Sequence, residues 1–314
     1  MSLDIFFLIA ISTLSTGLAY RNIWRRFNEH AVPKGFGVFL PIILLISLFK
    51  GNYSDHLVII FSLISFFSFI YWLDDLYGLN PILRMIVSFT TGVLLYLISL
   101  IYNGSLFDLG ILVPAVLYGL FNVGLTNVVN FYDGADLNIS ILILLSCFSF
   151  LLLPISTDWL FTIIACIVFI AAFSILNRKP NFLYLGDAGA FAYSSLITSL
   201  LLYKTRSNLY IPLDFLIPFL LPVLDIFYVI CLRIKREENL LTRNYLHLYQ
   251  KLKIRFDNKI YLLPQIINFI VCFLMLNLFK RLQINNLAII IFLFAITGII
   301  YMLFLKILSR RSQN

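Results

Sequence analysis

Eleven long apolar runs, separated by short polar or turn-rich stretches, constrain this chain more than any other feature. They cover about residues 3–20, 37–50, 57–73, 85–102, 109–128, 139–155, 159–176, 188–203, 209–232, 261–280 and 286–307. A helix crosses bilayer hydrocarbon in about 20 largely apolar residues, and without water it must close its backbone hydrogen bonds within the segment. The predicted fold is therefore all-α, a polytopic membrane helical bundle of about eleven transmembrane helices. Ten is the alternative count, because the second run is short enough to be tilted or interfacial. Composition agrees, since 61% of the residues are hydrophobic and 12% charged, against about 25% charged in soluble domains. There is no internal repeat, linker or soluble domain, and the longest polar segment is 233–260. Residues 1–314 read as a single membrane-embedded domain. The first run lacks a basic leader and a small-residue cleavage site, so it reads as a retained helix rather than a signal peptide.

The net charge of +8 does not point to nucleic acid, because the basic residues sit in short loops between apolar runs. Most of the 23 lysines and arginines follow odd-numbered runs; only Lys50, Lys204, Arg206, Lys280 and Arg281 follow even-numbered ones. The bias puts the N-terminus outside and the C-terminus in the cytoplasm. Cys147, Cys166, Cys231 and Cys272 lie within apolar stretches without metal-ligand spacing and read as small core residues.

A carboxylate at a bilayer boundary is costly unless it has a partner or a task. Asp74 and Asp75, Asp133 and Asp136, and Asp187 lie on three loops that all follow odd-numbered runs. The charge bias, counted without them, puts all five on the cytoplasmic face. Asp74 and Asp75 are neighbours at a helix end, suited to act as a base or to face a cation. The stretch Asn127 to Asp136 spaces Asn127, Asn130, Asp133 and Asp136 by three, which is one face if the chain is helical, with Gly134 permitting close approach to a ligand. Read blandly, it is an Asn/Asp/Gly turn. Asp187, between Gly186 and Gly189, stands at a helix start, where an aspartate can be an N-cap or can serve a phosphate and its metal.

The cations are Lys34 in the first cytoplasmic loop, the candidate for a lipid phosphate, and Arg233, Lys235, Arg236, Arg243 and His247 in the last large loop. His30 lies near Lys34, and His56 falls on the outer side. Asp225 sits in a run broken by Pro212, Pro218 and Pro222, which suits an irregular helix near a polar cavity. Hard carboxylate oxygens without Cys/His metal spacing favour Mg²⁺, with Mn²⁺ as the alternative, over zinc. A cytoplasmic site with such a cation, Arg and His, opening into the membrane, is what phosphoryl transfer from a nucleotide donor to a lipid requires.

At these motifs the chain resembles the polyprenyl-phosphate N-acetylhexosamine-1-phosphate transferase family, from Pro33 to Leu252. The matching residues are Asp74 and Asp75, then Arg84, then Asn127, Asn130, Asp133, Gly134 and Asp136, then Asn177, Pro180, Gly186, Asp187 and Gly189, and finally His247. The resemblance implies magnesium, a UDP-HexNAc donor, undecaprenyl phosphate as acceptor and UMP as the other product. It implies Asp187 and Asn130 at the metal, and Asp74, Asp75, Asp133 and Asp136 as catalytic or metal-proximal carboxylates. Asn127, Asn177, His247, Arg243 and Arg84 are then donor phosphate or nucleotide contacts. Tyr249 and Gln250 stand where the family has further histidines, and Leu137 replaces a glycine. These departures point to the O-antigen-type branch, which initiates an envelope polysaccharide, rather than to a muramyl-pentapeptide donor. A homodimer is admitted. The alternative reading, an ion-coupled transporter or lipid flippase, predicts acids near the bilayer midplane and internal repeats.

Overall fold

The computed structural model describes residues 3–27, 32–51, 54–103, 111–205, 212–239, 245–256 and 259–310. Among them every regular element is helical: α1 Leu3–Phe27, α2 Phe39–Gly51, α3 Asp55–Tyr77, α4 Pro81–Asn103, α5 Leu112–Phe131, α6 Asn138–Leu151, α7 Thr157–Asn177, α8 Gly186–Thr205, α9 Ile217–Lys235, α10 Leu248–Arg255, α11 Leu263–Arg281 and α12 Asn286–Arg310. Short 3₁₀ turns precede α2, α9 and α11. Each of the eleven apolar runs became a helix. Eight are long and apolar enough to cross a membrane, while Phe36–Ile46 and Asn138–Leu151 are shorter apolar helices. The eleventh, α8, is long enough, but its glycines, serines and threonines dilute its hydropathy. The polar segment 233–260 contains a helix the sequence reading did not foresee, α10, whose eight residues LYQKLKIR are too few and too basic to register as an apolar run.

The chain groups into two compact units, one of residues Met1–Asp136 and Pro154–Ile211, the other of Leu137–Leu153 and Pro212–Asn314. In the first, α8 is the central helix, with sixteen of its twenty residues buried. Small residues let its neighbours approach. A Cβ added to Gly37 would lie 2.0 Å from the Cα of Gly189, so the segment before α2 crosses α8 backbone against backbone. A polar seam joins α4, α5 and α8. The fully buried Asn122 donates from Nδ2 to the Ser88 carbonyl at 2.9 Å and accepts at Oδ1 from Thr198 at 2.9 Å. Such interhelical bonds contribute about 0.6 kcal/mol each within a membrane. Side chains such as Phe7, Leu18, Phe66 and Leu117 are exposed, as expected where lipid is the neighbour.

In the second unit the core is apolar. Leu213 in the 3₁₀ turn before α9 and Ile217 and Leu220 at its start pack with Phe269, Cys272 and Leu276 of α11 and Leu293 of α12. Pro218 and Pro222 fall in α9, and Pro218's carbonyl accepts from Gln265 Nε2 at 2.7 Å, a side-chain partner of the kind that lets proline sit in membrane helices.

Candidate active site

Three loops of the first unit meet at the N-terminus of α8. Helix α3 ends at Gly78, whose φ of 69° lets its N–H reach the Asp74 carbonyl at 2.8 Å; Asp74 and Asp75 therefore occupy the last turn of α3. The segment around Gly35 runs alongside the approach to α8: Tyr184 N donates to Pro33 O at 2.8 Å and Gly37 N to Leu185 O at 2.8 Å. Gly186 opens α8 with φ +79°, and a Cβ there would lie 2.2 Å from Gly35 N and 2.5 Å from Asp75 Oδ2. Only glycine fits.

The carboxylates then divide into two sets. Asp133 Oδ2 accepts from Gly186 N at 2.5 Å, and Asp75 Oδ2, on a side chain only 3% exposed, accepts from Ala188 N at 3.1 Å. The positive end of α8 is thus capped by acids from two other loops. Those amides are engaged, which corrects the expectation that this helix start is ready for a phosphate. Asp187 is not the cap. Its Oδ2 takes Arg84 Nη1 at 2.7 Å, and the same nitrogen lies 3.1 Å from Asp74 Oδ2. Tyr71 OH donates to the Arg84 carbonyl at 2.6 Å and Leu79 N to Asp74 Oδ1 at 2.5 Å, fixing both ends of this bridge. Lys34, half-exposed, lies 3.9 Å from Asp75 Oδ1. Asp136 is buried and accepts from Tyr184 OH at 3.2 Å.

Burial raises the Asp133 carboxyl well above the usual carboxylate range; the Gly186 hydrogen bond opposes this, and the charges of Asp75 and Asp187 add to it. Its Oδ1 is buried and has no hydrogen-bond partner among the described residues. No three His, Cys, Asp or Glu among the described residues form a ready-made metal cage. Mg²⁺ does not need one, since it binds through one or two carboxylates plus waters and substrate phosphates. Asp133 Oδ1, a hard anionic oxygen beside two further carboxylates, fits that requirement.

The other sequence-predicted residues are placed as follows. Asn130 lies in the last turn of α5, where its carbonyl accepts from Asp133 N at 3.1 Å. Asn127 is exposed and donates to Val123 O at 3.0 Å. Asn177 is buried, and its Nδ2 donates to Leu183 O at 2.8 Å, which ties the turn leading into α8. His247 belongs to the second unit, 3% exposed, with Nδ1 3.0 Å from Asp225 Oδ2. Arg243 and His30 lie outside the described residues. Sequence reasoning missed Tyr71 and Tyr184, whose hydroxyls are set only by the tertiary packing; Tyr184, two residues before Gly186, was signalled by proximity to a motif alone.

Comparison with known proteins bears on the first unit most. Residues 57–205 match the family model described as glycosyl transferase family 4. Among curated proteins the chain is similar to the phospho-N-acetylmuramoyl-pentapeptide-transferase of Streptococcus suis (strain 05ZYH33), at 27% identity over 200 residues, 56% of this chain and 59% of the relative. It is similar to the protein of the same name from Streptococcus gordonii, at 30% over 176 residues, 50% of this chain and 53% of the relative. A third, from Streptococcus pneumoniae serotype 2, is 26% identical over 170 residues, 49% and 52% respectively. The chain spans about half the length of the curated relatives it matches. The stretch that matches glycosyl transferase family 4, residues 57–205, is the one that carries Asp74, Asp75, Arg84, Asp133, Asp136 and Asp187.

Proposed function

We propose that this protein is a membrane phosphotransferase that moves an N-acetylated amino-sugar 1-phosphate from a UDP-sugar to undecaprenyl phosphate, releasing UMP. The observation that carries the reading is the meeting of four aspartates from three loops, Asp74, Asp75, Asp133 and Asp187, with Arg84 and Lys34, all but Lys34 inside the stretch that matches glycosyl transferase family 4. A scaffold gains nothing from crowding acids at one helix end, and a carrier would be expected to hold them at mid-membrane.

In the proposed reaction an oxygen of the lipid phosphate attacks the sugar-proximal phosphorus of the donor. The bond from that phosphorus to the bridging oxygen breaks, and UMP leaves with the electron pair. A phosphate monoester has a second pKa of about 6 and is largely ionised at neutral pH, so no strong base is required. Lys34 is assigned to the lipid phosphate. Arg84 compensates Asp74 and Asp187 and is assigned to the donor phosphates. Asp187, Asp133 and Asn130 are the residues assigned to hold Mg²⁺, which when bound would neutralise charge on the bridging phosphate oxygens. Asp75 keeps the entry to α8 in register with the Gly35 segment. The acidic site is assigned to the cytoplasmic face, with the N-terminus outside.

The donor sugar has two sources of support that differ. The relatives' names specify a muramoyl-pentapeptide donor, whereas Tyr249, Gln250 and Leu137 favour a simpler HexNAc, as in O-antigen initiation. The test is transfer of radiolabel from a panel of UDP-HexNAc donors, UDP-N-acetylmuramoyl-pentapeptide included, to undecaprenyl phosphate, with and without Mg²⁺. Metal-dependent label in the lipid, lost in Asp187→Ala, is expected and names the donor. Folded protein that labels lipid from none of them would overturn the proposal.

A further inference from the structure

Lys34 carries the assignment to the lipid phosphate, yet its own side chain does little to fix where its charge sits. The side chain is half-exposed, and Nζ lies 3.9 Å from Asp75 Oδ1, beyond the roughly 2.7–3.2 Å of an N–H···O hydrogen bond. A four-carbon stem with three donors can turn from Asp75 to a phosphate, but only within reach of the Cα that bears it. Whatever fixes that Cα therefore aims the ammonium.

The backbone around Lys34 is tied at three consecutive carbonyls. Pro33 O accepts from Tyr184 N at 2.8 Å, Lys34 O from Tyr20 OH at 2.6 Å, and Gly35 O from Val38 N at 3.3 Å. The first and last are ties between backbone groups. The middle one depends on a single side chain, from α1. Its hydroxyl is held in turn, because Trp72 Nε1 of α3 donates to Tyr20 OH at 3.0 Å. The proton directions follow from the chemistry: an indole N–H only donates and a carbonyl only accepts, so the phenol hydrogen lies toward Lys34. The Tyr20 ring is wedged as well, edge-on to Phe39 at 5.8 Å between centroids and 6.0 Å from Phe36. Trp72 packs against the same segment, since a Cβ added to Gly35 would come 3.0 Å from its Cδ1. One chain of hydrogen bonds thus runs from the last turns of α3, where Asp74 and Asp75 stand, through α1 to the peptide of the lysine.

We infer that Tyr20 is a positioning residue for transfer: its hydroxyl, steadied by Trp72, fixes the Lys34 peptide so that the ammonium is presented to the phosphate of the lipid acceptor. This rests on the role given to Lys34 under the proposed function. Tyr20 acts through Lys34 and contacts neither substrate itself.

Tyr20→Phe keeps the ring and deletes the hydroxyl. In mixed micelles its apparent KM for undecaprenyl phosphate is expected to rise about fivefold, the scale of one lost hydrogen bond. The donor KM and kcat are expected to stay within about twofold, the pattern of a lost ground-state contact. Trp72→Phe leaves the Tyr20–Lys34 bond but removes its support, and is expected to raise the acceptor KM by about twofold. A double-mutant cycle then separates aiming from packing. In a Lys34→Gln background, adding Tyr20→Phe is expected to change the acceptor KM by less than about twofold. Binding is read apart from turnover by reductive ¹³C-methylation of the full-length protein, which keeps the lysine charge, with Lys34→Arg identifying the Lys34 resonance. Undecaprenyl phosphate alone is expected to shift that resonance, and half-saturation to need about fivefold more lipid in Tyr20→Phe.

The same loss in the Lys34→Gln background overturns the inference, because a merely structural hydroxyl acts without the lysine. So does an acceptor KM unchanged in Tyr20→Phe, or a donor KM that rises equally. A Tyr20→Phe protein that melts too far below the wild type to be assayed overturns it too, since the hydroxyl would then hold the fold rather than aim the lysine. A wild type that labels no lipid from any donor sinks the proposed function instead, and the Lys34 resonance still decides: a lipid-dependent shift that weakens in Tyr20→Phe upholds the inference, and no shift overturns it.

Discussion

The acidic site of the first unit and the Asp225 centre of the second both hold aspartates in or beside membrane helices, yet they are satisfied in opposite ways. Asp225 has one carboxylate and three polar contacts, Leu248 N and Tyr301 OH on Oδ1 and His247 Nδ1 on Oδ2, so that both oxygens are engaged. The first unit gathers Asp74, Asp75, Asp133 and Asp187 near two cations, Arg84 and Lys34, and one buried oxygen, Asp133 Oδ1, has no hydrogen-bond partner among the described residues. A fully paired carboxylate is a fixture that orients what touches it. An under-compensated cluster stores electrostatic cost that a bound cation can relieve.

The largest effect should come from removing Asp187, which Arg84 holds at 2.7 Å. Asp187→Ala is expected to lower transfer about 10³-fold, the scale of losing a principal electrostatic group, with the thermal midpoint little changed; an undiminished rate would make the cluster as structural as Asp225. Next, Gly186→Ala forces a methyl against Gly35 N and Asp75 Oδ2 and is expected to cost about 3 kcal/mol, read by thermal melting in detergent. The same change at Gly78, which has open space around it, is expected to cost only about 1 kcal/mol for its positive φ; equal losses would mean that the close crossing is not what the glycine serves.

A smaller effect concerns pH. Because the folded Asp133 carboxyl lies above the unfolded value of 3.8, the folded state binds the extra proton, and its contribution to stability is complete below that value and lost as pH rises through the raised one. Metal-free protein is therefore expected to lose stability with rising pH over that window, and millimolar Mg²⁺ to restore it more in alkali than in acid. A Mg²⁺ effect that is the same at both ends, or that persists in Asp133→Asn, would remove Asp133 from the cation's surroundings. The smallest effect is assigned to Tyr184→Phe, which deletes one hydrogen bond to Asp136 and should cost about 1 kcal/mol by the same melting measurement.

The helices were legible because membrane spans announce themselves by length, and every apolar run became a helix, eight of them long and apolar enough to cross. The meeting of Asp74, Asp75, Asp133 and Asp187 was foreshadowed by their shared side of the charge bias. What was not legible is who pairs with whom. Arg84 bridges Asp74 and Asp187, because its helix starts three residues before it and aims it at α8, a pairing its position in the sequence does not reveal. Asp187 read as either a cap of α8 or a partner of a phosphate and its metal, and the cap comes instead from Asp75 and Asp133. Tyr301 lies 76 positions from Asp225, and no periodicity within either helix encodes that contact. Helix α10 is too short to show a hydrophobic face.

The polar seam at Asn122 has a consequence for how the protein is made. As α5 leaves the translocation channel, its middle carries an amide that lipid cannot solvate. Helix α4, synthesised just before, can take the Nδ2 hydrogens through Ser88. The Oδ1 acceptor must wait for Thr198, 76 residues later. The α4–α5 hairpin is thus expected to enter the bilayer as a pair and to stay beside the insertase until α8 emerges, so that the order of synthesis rehearses the order of assembly.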